Sequence, residues 1–353
     1  MATFLSRKNR VPVHGVLLLD KSAGYSSNDA LIQAKRLLNA EKAGHTGTLD
    51  PFATGLLPLC FGEATKFAQD LLDADKTYET VVHLGMTTTT GDTEGEVVTT
   101  RAATAGSVQP SSTLPLVGAG NVSSALPLVA EGNVTGGNAT PRPTPTLGVT
   151  RDQIESVLAR FRGELDQIPP MYSALKRDGK PLYEYARAGV VLERAARRVT
   201  IHDLELLDYR APYLTLRVTC SKGTYIRVLG EDIGLALGCG AHLHALRRTG
   251  VGSLSIDHAV TLDAFAGLSE TGRVASLSAV DALLSLFPAV SLPEQLATRF
   301  LHGQRLSLGR EGMAVPAAQG RVRVYREADG KLLGTGQMTE FGVLAPERLI
   351  ATK

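Results

Sequence analysis

The residue in this chain best placed to do chemistry is an aspartate set between glycines and a proline. It lies in Gly44-His45-Thr46-Gly47-Thr48-Leu49-Asp50-Pro51, followed by Ala53-Thr54-Gly55-Leu56-Leu57-Pro58-Leu59, a segment too apolar for an ordinary surface loop. Pro51 biases Asp50 away from helix toward extended backbone. Gly44 and Gly47 permit a tight bend or the close approach of a ligand. A carboxylate held in one orientation at the edge of a core can act as a nucleophile or electrostatic partner. The same Asp-Pro pair can also be a plain turn whose side chain caps local amides, so the surroundings must decide.

Three further clusters bear on that decision. Lys76-Thr77-Tyr78-Glu79 brings a tyrosine into a strand. The stretch Ile168-Pro169-Pro170-Met171-Tyr172-Ser173-Ala174-Leu175-Lys176, continued by Gly179-Lys180 and Leu182-Tyr183-Glu184-Tyr185-Ala186-Arg187, interleaves basic and aromatic side chains. Cations neutralise phosphates while flat rings stack on unpaired bases, as loop RNA requires, although the same mixture also suits an amphipathic helix surface. The last cluster runs from Ser221-Lys222-Gly223-Thr224-Tyr225-Ile226-Arg227 through Gly238-Cys239-Gly240-Ala241-His242-Leu243 to Leu246-Arg247-Arg248-Thr249. There a strand ends in glycine just before a helix, so Tyr225 and Arg227 stand near a helix N-terminus, which favours anions. An arginine at that place can pair with Asp50, hold it ionised and lower its pKa; it can also be a helix-surface cation. The glycine beside His45 and the one two residues on predict an exposed, reachable ring.

The elements that must position these groups are legible in outline. Val13 to Asp20 is dense in Val and Leu, as a buried strand is, and Lys21 to Asn28 supplies a turn and caps for a helix from Ala30 to Leu38. Tyr78 to Leu84 reads as a strand with Glu79 and Thr80 outward and Val81, Val82 and Leu84 inward. Leu214, Leu216, Val218 and Cys220 share one face of another. Ile226, Leu229, Ile233 and Leu237 form a helical stripe stopped by Gly238. Strands and helices mix without a βαβ rhythm, which predicts an α+β or mixed sheet. Beyond Pro288 and Pro293 come short strand-like pieces, Gly320–Tyr325 and Leu332–Gly336, of the kind found in small β-barrels.

Residues 101–149 break the pattern, being almost uncharged and carrying a degenerate duplication, Leu114-Pro115-Leu116-Val117 against Leu126-Pro127-Leu128-Val129. One short repeat builds no solenoid, and the stretch is expected to be a mobile insertion of small functional weight. The chain's 353 residues suggest two domains. Its net charge of +2 excludes neither nucleic acid nor small substrates. No apolar run is long enough to span a membrane, and the N-terminus lacks a signal peptide's apolar core. Cys60, Cys220 and Cys239 form neither a metal pair nor a disulfide framework, and are expected to be buried free thiols in a cytoplasmic protein.

Taken together, these segments resemble a known family. Ala43 to Phe67 is similar to the signature of bacterial tRNA pseudouridine-55 synthases (the TruB family), and Gly15–Asp29, Pro169–Arg187 and Ser221–Arg248 match the same family in the same order. The tail from about residue 290 resembles, more loosely, the family's small RNA-binding barrel, the PUA domain. The resemblance implies a pseudouridine-synthase fold of α+β class: a mixed, mainly antiparallel central sheet flanked by helices, with a C-terminal PUA-like barrel. It implies a catalytic domain over 11–285, interrupted by the insertion, and an RNA-binding domain over 290–350. Asp50 is then the catalytic aspartate of an isomerase that breaks the uridine N1–C1′ bond, turns the uracil and joins C5 to C1′, with no cofactor and no metal. The target uridine must be flipped out of the tRNA T-loop, which costs a few kcal/mol. His45 fills the vacated space, Tyr78 stacks on the base and can serve in proton transfer, Tyr225 and Leu246 line the uracil pocket, and Arg227 pairs with Asp50. Pro169–Arg187 becomes a thumb closing over the T-arm stem-loop of a monomer that needs no protein partner. One departure is visible: Lys21-Ser22-Ala23-Gly24 has Ser where the family usually has Pro, which is expected to loosen a turn near the site.

Other classes fit less well. A tRNA-folding chaperone that binds the elbow needs no carboxylate in its pocket. A guide-RNA-dependent pseudouridylase is disfavoured by the complete thumb. For a metal hydrolase, His242 and His244 lack a third ligand at suitable spacing.

Overall fold

The computed structural model describes residues 10–100, 148–317 and 319–351. The duplication expected to be a mobile insertion falls within 101–147, outside the described residues.

Two apolar strands form the spine. β1 (Gly15–Lys21) and β3 (Thr54–Phe61) pair antiparallel, and both are buried along most of their length. Their alternate residues feed two cores: Leu17, Leu19, Leu57, Leu59 and Phe61 on one side, Val16, Leu18, Leu56 and Cys60 on the other. Burial on both faces explains why neither strand shows polar alternation. Between them, Ser26 caps α1 (Ser27–Leu37) in a capping box with Asp29, and β2 (Ala43–His45) folds back on β3 as a hairpin.

The sheet extends through β4 (Lys76–Leu84), β5 (Gly163–Gln167), β6 (Arg197–Arg210), β7 (Tyr213–Cys220) and β8 (Ala241–Val251), with short β9 (Leu254–Ser255) and β10 (Val260–Thr261). Its order is β10-β1-β3-β8-β4-β7-β6-β5, with β2 attached to β3 and β9 to β8. Only β1–β10 and β3–β8 are parallel, so the sheet is mixed and mainly antiparallel, as expected. Two helices, α2 (Arg151–Ala159) and α4 (Ile226–Ala236), pack on one core, α4 through Ile226, Leu229 and Ile233. Between β5 and β6 lies the basic-aromatic segment, with a two-stranded piece and helix α3 (Leu182–Arg187).

One detail of β4 differs from the sequence reading. Thr80 is buried and donates its hydroxyl to Ala245 C=O at 2.7 Å, whereas Val81 faces the less buried side. Strict alternation from Val82 and Leu84 decides the face, and a satisfied hydroxyl costs little to bury.

The C-terminal strands β11 (Ala289–Leu292), β12 (Leu306–Ser307), β13 (Gly320–Arg326), β14 (Leu332–Met338) and β15 (Val343–Leu349) form a second sheet in the order β11-β13-β14-β15-β12. That order is an open path, so the expected barrel is a half-barrel, filled by Phe300 and Leu296 of α5 (Glu294–Leu301). It is fastened to the larger unit by polar contacts: Lys66 Nζ donates to Leu349 C=O at 2.8 Å, Tyr325 to Asp281 at 2.8 Å, and Arg321 pairs with Asp70.

Candidate active site

Asp50 occupies the β2–β3 hairpin loop, where the chain is held from several directions. Ser27 Oγ takes a hydrogen bond from Leu49 N–H at 2.8 Å and donates to Leu49 C=O at 3.1 Å. Asp50 C=O accepts from Ala53 N–H at 3.1 Å, closing a turn over Pro51. Where β3 runs beside β8, the backbones come so close that a Cβ at Gly55 would sit 2.3 Å from Arg248 O; Gly55 also has φ +102°, and both facts require glycine. A loop tied this tightly presents its carboxylate in one orientation.

Arg227, one residue inside the start of α4, meets that carboxylate. Its side chain is 5% exposed, and Nη2 lies 3.0 Å from Asp50 Oδ2. Nη1 lies 3.4 Å from Asp92 Oδ2, whose side chain is 3% exposed. The remaining donors reach backbone: Nη1 to Thr90 C=O at 2.9 Å and Nη2 to Tyr172 C=O at 2.7 Å. The guanidinium is therefore a buried cation between two carboxylates, while Asp50, 36% exposed, is the one that still opens to solvent.

The pairing expected from sequence is present, but its electrostatic consequence is reversed. Asp50 is held above the ordinary carboxylate range because the packed walls of the cleft withdraw solvent from it. Arg227 pulls downward, yet its charge is shared with Asp92, which pushes Asp50 up; Lys21 also pulls down. Burial wins over the cation.

Lys21 is the least expected member of the site. It is 1% exposed at the end of β1, with its ammonium donating to Ser22 C=O at 2.9 Å, Tyr25 C=O at 2.8 Å and Pro51 C=O at 3.3 Å. Burial lowers its pKa to about 8, against the pull of Asp50. Those bonds, with Gly24 N–H to Pro51 C=O at 2.9 Å, fix the turn that Ser22 was expected to loosen.

On β4 and β8, Tyr78 stands opposite Arg248 and Thr80 opposite Leu246, all four on the face toward Asp50's core. Arg248 is 1% exposed and donates Nε to Leu56 C=O at 2.8 Å and Nη2 to Gly47 C=O at 3.3 Å, so it braces the Asp50 loop from beneath. Burial raises the Tyr78 phenol and Arg248 opposes it; the charge of Asp50 is felt there too. Tyr225 is the N-cap residue of α4, and its phenol is likewise raised by burial with a smaller push from Asp50. Leu246 is buried.

His45 departs from expectation. Its ring is half-buried rather than exposed, and Nδ1 is buried without a hydrogen-bond partner. Burial, then Arg248, lowers its pKa, so the ring is neutral at physiological pH. Pairing with Leu59 in the hairpin, rather than the freedom of its glycines, fixes its exposure.

Asp50, Arg227, Tyr78, Tyr225 and Leu246 thus converge, with His45 on the same hairpin. Lys21, Asp92 and Arg248 complete the constellation and were not foreseen as site residues. Asp92 follows Thr89-Thr90-Gly91, a small-residue, glycine and aspartate run like that before Asp50, and that was its only signal. Behind Arg227 lies a cavity of about 400 Å³, bordered by Thr90, Tyr172, Val191, Arg194 and Glu231. Burial lifts Glu231 to about 7.

Comparisons with known proteins give the family and the fold. The family model described as "TruB family pseudouridylate synthase (N terminal domain)" matches residues 35–116 and 130–226. Two C-terminal models follow: "tRNA pseudouridylate synthase B C-terminal domain" over 227–285 and "Pseudouridine synthase II TruB, C-terminal" over 288–350. A tRNA pseudouridine synthase B of Burkholderia mallei is 55% identical over 347 residues, covering 98% of this chain and 97% of that protein. Its counterpart in Ralstonia nicotianae is 54% identical, covering 98% and 96%. Among solved structures, a Cbf5-Nop10-Gar1 complex has a chain that aligns at TM-score 0.64 and 25% identity over 95% of this chain and 84% of its own. An H/ACA RNP bound to a substrate RNA containing 2'-deoxyuridine shares the fold at TM-score 0.65 and 23% identity, over 96% and 86%.

Proposed function

The chain belongs to the TruB family of pseudouridylate synthases, and from that membership we infer that it is a tRNA pseudouridine synthase, converting the uridine at position 55 of the T-loop to pseudouridine. The reaction is an isomerisation: N1–C1′ breaks, C5–C1′ forms, and the proton displaced from C5 ends on nitrogen. We assign residues 11–285 to catalysis and 290–350 to RNA binding, in a cytoplasmic monomer.

The observation that carries the site assignment is the Asp50–Arg227 contact at 3.0 Å, near enough to the Tyr78 and Tyr225 phenols for the charge of Asp50 to bear on both. Arg227 is locked by two backbone carbonyls and by Asp92, so it cannot follow a moving carboxylate; it aims Asp50 outward. An extruded uridine placed on Tyr78, with Leu246 and Tyr225 at its edges, meets Asp50 at the sugar. Attack at C1′ and removal of a sugar proton both need the ionised carboxylate, and both benefit from partial desolvation, which sharpens its charge. Neutral His45, half-buried on the hairpin, suits insertion into the stack that the base leaves. The exposed Lys176 and Arg177, with the cation-on-ring pairs Lys180–Tyr185 and Arg187–Tyr183, offer phosphates and bases a mixed surface.

The test uses an unmodified tRNA transcript with mapping of the new C-glycoside. Wild type is expected to modify one T-loop position. Asp50→Asn should lower turnover by at least about a thousandfold, as loss of a group acting in the transition state does, while tRNA affinity stays near wild type. Undiminished turnover in Asp50→Asn would refute the assignment.

A further inference from the structure

Gln167 ends β5 and immediately precedes Ile168-Pro169-Pro170, the root of the basic-aromatic segment. Its side chain is buried, 2% exposed, and faces the residue that opens α4. Oε1 accepts from Tyr225 N–H at 3.0 Å, and Nε2 donates to Tyr225 C=O at 3.3 Å. The pair of bonds imitates one rung of an antiparallel ladder. Backbone cannot supply that rung here, because Pro169 and Pro170 have no N–H to donate. A carboxamide offers a donor and an acceptor together, whereas an ionised Glu has no donor for Tyr225 C=O.

The same segment makes a second attachment to α4. Tyr172 C=O accepts from Arg227 Nη2 at 2.7 Å, and that nitrogen is the one 3.0 Å from Asp50 Oδ2. The root of the segment therefore grips α4 at Tyr225 and again at Arg227. A shift of the root moves the start of α4, and with it the guanidinium that aims the catalytic carboxylate.

We propose that Gln167 is a positioning residue for the isomerisation: it locks the start of α4 to the root of the RNA-facing segment, so that Arg227 is aimed at Asp50 when that segment holds tRNA. This rests on the activity inferred above. Gln167 touches neither substrate nor reacting atoms; it acts through Tyr225 and Arg227. Removing its amide loosens that aim, weakens the pull of Arg227 on Asp50, and leaves Tyr225 N–H without its partner, while Tyr225 C=O keeps Leu229 N–H at 3.1 Å.

The titratable groups coupled to Asp50 are Arg227 from α4, Lys21 from β1, Asp92 with Glu94 from the turn after β4, and the phenols of Tyr78 on β4 and Tyr225 at the start of α4. None is altered by Gln167→Ala, which adds no charge, so a moved pH profile in that variant reports geometry. The experiment measures single-turnover pseudouridine formation across pH, tRNA affinity and melting temperature for full-length wild type, Gln167→Ala and Gln167→Glu, with Asp50→Asn as control. Gln167→Ala is expected to slow the single-turnover rate about tenfold, the scale of a small misplacement of a reacting group, with affinity within about twofold. Its acid limb should move to higher pH, because Asp50 loses part of its cationic partner. Gln167→Glu keeps the acceptor and regains the donor only when protonated, so its deficit relative to wild type at the same pH should shrink as pH falls. That variant also serves if the alanine form does not fold. A wild-type rate and acid limb in either folded variant overturns the proposal. So does a loss confined to tRNA affinity or to melting temperature. If wild type itself makes no pseudouridine, or Asp50→Asn remains active, the inferred function or site fails instead, and the controls tell these apart.

Discussion

Two arginine clusters in this molecule have nearly the same composition and opposite uses. In the cleft, Arg227 bridges buried Asp92 to Asp50; at the seam between the sheets, Arg321 bridges buried Asp70 to Glu347, at 2.8 Å from the latter. In each, one carboxylate is nearly sealed and the other open, at 36% exposure for Asp50 and 40% for Glu347. The surroundings differ. Arg321 lies over the Phe287 ring and next to Thr335, with Asp70 on the larger unit and Glu347 on the smaller, so both carboxylates serve to join two surfaces. Arg227 is pinned by backbone carbonyls, leaving the open carboxylate on a fixed loop beside two tyrosines. An ion pair does not itself mark a catalytic site. What sets Asp50 apart is a carboxylate left open to solvent on a loop tied by its own hydrogen bonds.

Exchanging the damage between the clusters tests that contrast. Arg227→Ala should cause the largest loss, about a thousandfold or more in rate, since it removes the aim of Asp50 and strands Asp92 as a buried charge; a single-turnover assay reads it. Arg321→Met should do the reverse, destabilising the protein by about 3 kcal/mol because Asp70 loses its partner, while the single-turnover rate of the folded fraction stays near wild type. If Arg321→Met harmed chemistry as much as Arg227→Ala, the division of labour would fail.

The pH profile sharpens the same comparison. Asp50 is raised by burial and must be ionised to act, so activity should fall as pH drops through a value above the ordinary carboxylate range. The sign for stability is opposite: a folded-state pKa above the unfolded one makes the folded protein the better proton binder, so this group stabilises on acidification and that contribution is lost as pH rises through its folded pKa. The acid limb should therefore appear without a drop in melting temperature due to Asp50. Coincident loss of activity and structure would make the limb an unfolding event. A smaller effect is expected for His45→Ala, about tenfold slower base extrusion with little change in docking, read by fluorescence of a 2-aminopurine beside the target. The smallest belongs to deletion of residues 103–147, for which near-normal activity is expected in the pseudouridine assay.

What the chain determines by itself is local. The Gly-rich run before Asp50-Pro51, the caps of α1, the stripe on α4 and the alternation of β7 are short-range patterns, and each appears where it was read. The lack of a βαβ rhythm already pointed to a mixed sheet, and the helix-start position of Arg227 to a pairing with Asp50; the resemblance turned both into definite expectations. Contacts between distant segments decided everything else. Arg247 and Arg248 are adjacent on one strand, and period two sends them to opposite faces; only the neighbouring strands determine that Arg248 braces the Asp50 loop while Arg247 pairs with Asp20 at 2.7 Å. Lys21 looked like the first residue of a turn and is a sealed ammonium, because two carbonyls of that turn and Pro51 C=O from the Asp50 loop converge on it. Asp50 was expected to be held low by its arginine and stands high, since solvent loss and the shared charge of Asp92 are properties of the assembled cleft. Residue type and spacing specify which groups can do chemistry; burial and charge sharing, which depend on every packed neighbour, set the state in which they do it.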